Sequence, residues 1–99
     1  MIKVSTKEEN NKIEEISISG HALYDDYGKD IVCASVSSIV ITTVNAIERI
    51  DNSAISHNEG SNLKIKVLKH SDVIDILIDN MLDLLKELAH DYKENIKFL

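Results

Sequence analysis

Ile2 and Val4 alternate with polar residues, Glu8 to Lys12 is a polar, turn-like cluster, and Ile16 and Ile18 resume the alternation before Gly20. A period of two with one apolar face predicts a β-hairpin. Ile13 falls out of phase, so it either lies on the outer face or marks a bulge. Leu23 to Lys29 holds no period and reads as a surface loop with Gly28 near its end. Asp30 has N-cap chemistry, and a helix is expected from about Ile31 to Ile50. About half of those residues are β-branched, which locally favours strand. Length decides for helix, because some twenty residues without a turn signal exceed an ordinary strand, and Val36, Val40, Val44, Ile47 and Ile50 follow helical spacing on one face. Asp51-Asn52-Ser53 ends it.

Leu63, Ile65 and Val67 alternate with Asn62, Lys64, Lys66 and Leu68, a strand whose lysines face water. Ala54 to Asn58 is expected to pair with it across Glu59-Gly60-Ser61 as a second hairpin. Ser71 caps a last helix to about Tyr92, with Asp72 and Asp75 in its first turn and Lys93 near its end, as the helix dipole favours. Its apolar positions, from Val73 through Leu77, Met81 and Leu84 to Leu88, cover more than one stripe. Either this helix packs between the sheet and the first helix, or it carries a second burial surface such as a dimer contact. Ile96 and Phe98 suggest a short terminal strand. The expected fold is α+β in the order β-β-α-β-β-α, a mostly antiparallel sheet packed with two helices and a possible short C-terminal strand.

Ninety-nine residues, 43% apolar and 28% charged, fit one globular domain (1–99) with a core that needs no staples. The amino terminus lacks a signal-peptide pattern, and no apolar run was expected to span a bilayer, so a cytoplasmic location without membrane contact is expected. The formal net charge of −6 argues against direct nucleic-acid binding, which relies on lysine and arginine, and favours a basic protein partner.

Cys33 is the sole cysteine and cannot form an intrachain disulfide. If the helix starts just after Asp30, Cys33 is its third residue, where unsatisfied backbone N–H groups and the positive end of the dipole stabilise a thiolate. His21 lies twelve residues earlier at a strand end, beside Gly20, whose missing side chain permits close approach or positive φ. Two readings stand at this point: a catalytic Cys–His pair, or a packed cysteine near a surface histidine. His57, His70 and His90 are scattered without ligand spacing, so no metal or other cofactor is expected.

The run Gly20-His21-Ala22, Tyr24, Gly28, Asp30-Ile31-Val32-Cys33-Ala34 and Val36-Ser37 resembles the signature of the ribosomal-processing cysteine protease family, often called Prp. The departure noticed is Ser35, where alanine is commoner. The resemblance implies a cysteine endopeptidase, working as a homodimer, that removes an N-terminal extension from ribosomal protein twenty-seven of the bacterial large subunit. It implies Cys33 as nucleophile and His21 as general base, with Asp30 and Ser37 in supporting roles. Asp30 serves first as helix cap and second as orienter of His21. Backbone N–H groups at the helix start, such as those of Cys33 and Ala34, are the expected oxyanion donors. Gly20, Tyr24, Tyr27 and Gly28 are the expected substrate contacts, with Asp25 and Asp26 on the same rim. The rival is a noncatalytic ribosome-associated module that binds a basic ribosomal protein. A redox sensor would need a resolving cysteine from another chain.

Overall fold

The computed structural model describes residues 1–26, 28–58 and 62–99. The chain runs β1 (Ile2–Glu9), β2 (Lys12–Ser19), α1 (Ile31–Ile50), β3 (Ile55–His57), β4 (Asn62–Val67), α2 (Asp72–Asp91) and β5 (Ile96–Phe98). The sheet order is β3-β4-β2-β1-β5, antiparallel throughout except that β5 lies parallel to β1. The terminal strand therefore exists and closes the β1 edge. The loop between β3 and β4, at Glu59-Gly60-Ser61, lies outside the described residues, as does Tyr27.

Asn10 and Asn11 turn the first hairpin with φ of 54° and 64°. Both central residues of a type I′ turn need positive φ, and asparagine tolerates it better than most side chains. Pairing shifts between Lys7 and Glu8: Lys7 faces Glu15 but Glu8 faces Ile13. Glu14 is the extra residue of a bulge, which returns Ile13 to the inner side, where it packs on the core.

Both helices cover one face of the sheet. Ile2, Val4, Ile16, Ile18, Ile65 and Val67 from the strands form one apolar cluster with Val32, Val36, Val40 and Ile47 of α1 and Ile74, Ile78, Met81 and Leu85 of α2. Ile50, expected on the buried face of α1, stands half exposed, and Val32 takes a place on that face instead. By length and composition α1 is apolar enough to cross a membrane, contrary to the expectation that no such run exists. Here its apolar stripe packs into the core of the domain. On α2 the outward residues Val73, Ile76 and Leu84 remain exposed, so the wide apolar pattern is only partly used within the chain.

At the N-terminus of α2, His70 is held between two carboxylates. Its Nδ1 lies 2.6 Å from Asp75 and its Nε2 2.8 Å from Glu14, the bulge residue. This ties β2 to α2, and Asp75, then Glu14, hold the imidazole above its ordinary value. The two carboxylates meet opposite ring nitrogens, so the cluster does not converge on one point; among the described residues no metal-binding group is gathered.

Candidate active site

α1 starts where the sequence placed it, and Cys33 is its third residue. Asp30 caps it: one carboxylate oxygen accepts from Val32 N and Cys33 N, both at 3.0 Å. The other accepts from Tyr24 N at 3.0 Å and Asp25 N at 3.5 Å. One side chain thus fastens the loop to the helix start. These donors, led by Cys33 N–H, hold the Asp30 carboxyl below its ordinary value.

The same bonds correct one expectation. Cys33 N–H is taken by the Asp30 carboxylate, and Ala34 N–H by the Asp30 carbonyl at 3.1 Å. Neither amide is free to meet an oxyanion, because the cap and the first helical bond use them up. The donor aimed at the sulfur comes from elsewhere. Ala22 N–H points at Cys33 Sγ over 3.4 Å.

Three features position Ala22. Gly20 has φ of +86°, and a Cβ there would sit 2.2 Å from the Met1 carbonyl oxygen, so only glycine lets β2 leave the sheet this close to the start of β1. Leu23 adopts φ of +56° and turns the chain back over the helix. Asn95 donates from Nδ2 to the Ala22 carbonyl at 2.9 Å, reaching across from the turn that precedes β5. That turn holds a second contact, since Tyr92 meets Tyr24 edge to face with ring centroids 5.4 Å apart. Asn95 and Tyr92 escaped the sequence reading: they lie about seventy residues from the motif, with no local pattern to announce them.

His21, Cys33 and Ser37 line two adjoining clefts. One, of about 560 Å³, is walled on the loop side by Leu23, Asp25, Gly28 and Asp30. The other, about 320 Å³, is apolar and includes Ile2, Ile18, Val40, Ile41 and Leu63, with Gly20 at its edge. The thiol, half buried, therefore sits at the junction of two mainly apolar troughs, and His21 is exposed beside it. Ser37 shares both clefts from one turn further along α1. Tyr24 braces the loop through Tyr92 and Asp30 and is not among the residues lining either cleft. A half-buried sulfur with one amide aimed at it, an accessible imidazole and a two-sided trough suit covalent attack on an extended peptide.

A sequence profile described as Cysteine protease Prp matches residues 1–97. The chain is 32% identical to the ribosomal processing cysteine protease Prp of Staphylococcus aureus, over 93% of its own length and 91% of the relative's. It superposes with a TM-score of 0.92 on a solved structure of an essential ribosomal processing protease Prp from S. aureus, in complex with a covalently linked product peptide, at 29% identity and covering 99% of this chain and 97% of that one. A second structure of that protease with a substrate peptide matches at TM-score 0.87 and 28% identity, over 100% and 98% of the two chains. With its β-β-α-β-β-α-β sheet and helix arrangement shared along the full length, this chain belongs to the Prp family of cysteine proteases.

Proposed function

We propose that this protein removes the N-terminal extension of ribosomal protein twenty-seven of the bacterial large subunit, in the cytoplasm, with Cys33 as nucleophile and His21 as its acid–base partner. The observation that carries this reading is the placement of Cys33 Sγ at the capped start of α1, under the Ala22 amide and in clefts shared with His21. The S. aureus relative solved with a covalently linked product peptide supports a covalent route.

In the first half-reaction Cys33 thiolate attacks the scissile carbonyl carbon. The C–N bond then breaks, and the leaving amine takes a proton from the His21 imidazolium, leaving a thioester. In the second half-reaction His21 takes a proton from water, the hydroxide attacks the thioester carbon, and the C–S bond breaks to restore the thiolate. Each time, negative charge gathers on the carbonyl oxygen, one bond away from the carbon joined to sulfur. Ala22 N–H, already aimed at the sulfur, is the donor best placed to receive it, and Asn95 acts as a positioning residue by holding the adjacent carbonyl.

The cleft lined by Ile2, Ile18 and Leu63 suits apolar and aromatic residues before the cut, and Asp25 in the loop-side cleft suits basic residues after it. Gly28, at φ of +84° with open space around it, supports a loop that hinges over the substrate. A homodimer is supported by the exposed Val73, Ile76 and Leu84 of α2, which a second copy would cover. Sequencing the amino terminus of the ribosomal protein in cells with and without this chain tests the substrate. A mature end that appears only with the chain is expected; an unprocessed end in both, or a mature end in both, would contradict it.

A further inference from the structure

Leu23 departs from the rest of the chain in two ways. Its backbone has φ of +56°, a left-handed conformation that strains a leucine because its Cβ crowds the neighbouring backbone. Elsewhere among the described residues positive φ falls on Gly20, Gly28, Asn10 and Asn11, the residue types that tolerate it. Its side chain is also 78% exposed, more than any other large apolar side chain among the described residues. Glycine or asparagine would make the same turn with less strain, and the core gains nothing from this leucine.

The strained residue is held from both sides. Before it, Ala22 is buried, its carbonyl accepts from Asn95 Nδ2 at 2.9 Å, and its N–H points at Cys33 Sγ over 3.4 Å. After it, Tyr24 N–H donates to the Asp30 carboxylate at 3.0 Å, and the Tyr24 ring meets Tyr92 edge to face. Neighbours fixed on both flanks leave Leu23 no room to relax, and strain maintained in this way collects at binding sites. The side chain lines the loop-side cleft of about 560 Å³, where it is the one large aliphatic group among the described residues; Cys33, Ala34 and Ser37 of α1 line the same cleft and are all small.

We infer that Leu23 determines specificity: it is the wall on which the substrate packs its first side chain past the scissile bond, and that side chain is apolar. The side of the bond rests on the proposed function, which gives the loop-side cleft to the residues after the cut. Leu23 takes the first of them because it follows directly on Ala22, whose amide points at the sulfur, whereas Asp25 stands two residues further along the loop. An apolar side chain entering there covers a leucine that otherwise faces water, and the small side chains of Ala34 and Ser37 leave it space. The ties to Asn95 and Asp30 hold the leucine in place before substrate arrives, so packing against it demands little further ordering.

The test compares wild type, Leu23→Asn and Leu23→Met on two synthetic peptides that span the cut and differ only in the residue after it, leucine in one and serine in the other. Wild type and Leu23→Met are expected to favour the leucine peptide by about tenfold in kcat/KM, and Leu23→Asn to lose that preference. Asparagine accepts the left-handed backbone and removes no core contact, so the melting temperature of Leu23→Asn is expected to equal or exceed that of wild type. A second readout needs no cleavage: the rate of Cys33 alkylation by N-cyclohexylmaleimide, divided by the rate with iodoacetamide, is expected to fall about fivefold in Leu23→Asn. An unchanged peptide preference in the folded variant would overturn the inference. So would a loss that slows both peptides and both reagents alike, since Leu23 would then only shape the loop. Cleavage of neither peptide by wild type would count against the proposed function instead, and the alkylation ratio would then decide for Leu23 by itself, an unchanged ratio overturning its role.

Discussion

Two histidines flank β2, and their settings could hardly differ more. His70, near the Glu14 end, is clamped between Asp75 and Glu14, with both ring nitrogens occupied. His21, just past the Ser19 end, is exposed and shares two clefts with a sulfur. A ring with both nitrogens engaged on carboxylates serves as a tie between elements. A ring open to solvent beside a nucleophile can pass a proton and turn to pass it again. His70 is therefore structural, and the chemistry is assigned to His21 by geometry.

Exchanging these roles by mutation should separate them cleanly. His21→Ala is expected to lower peptide cleavage by about a hundredfold to ten-thousandfold, the range for loss of a general acid–base, with an unchanged melting temperature; stopped assays alongside calorimetry check both halves. Gly20→Ala perturbs the same end through the backbone. With φ at +86° and the Met1 carbonyl 2.2 Å from the new Cβ, it is expected to cost roughly 1–3 kcal/mol of stability and to reduce cleavage as well, read by urea melts and the same assay.

Asn95→Ala removes the side chain that holds the Ala22 carbonyl, so cleavage is expected to fall by about tenfold, less than outright loss of an oxyanion donor. Iodoacetamide labelling of Cys33 at neutral pH should slow several-fold in parallel. An unchanged labelling rate would mean that Asn95 merely supports the turn before β5.

The smallest effect belongs to His70→Gln, which should leave cleavage intact. The folded chain holds the His70 proton more tightly than the unfolded chain does, so its stabilisation is complete below the ordinary value of 6.5 and is lost as pH rises through and above it. Wild-type stability should carry that downward component as pH rises above 6.5, and the variant should lack it; equal pH profiles would show that the clamp is not a titrating tie.

The contrast also marks what a linear reading can reach. Both helices were legible because Asp30 and Ser71 are cap residues ahead of helical spacing, and the caps are where they were expected. The motif drew attention to Cys33 and His21. Which amides remain free was illegible, because that depends on Asp30 spending the Cys33 N–H and on Asn95 arriving from the far end of the chain. The Glu14 bulge was visible only as the misfit of Ile13, since a one-residue slip reverses every facing while leaving composition untouched.

The central claim is that Cys33 performs the bond cleavage. A synthetic peptide spanning the N-terminal extension and the first residues of the mature ribosomal protein, incubated with wild type and Cys33→Ala and followed by mass spectrometry, tests it most directly. Cleavage at one bond by the wild type, and none above background by the variant, is predicted. Equal cleavage by both would contradict the account.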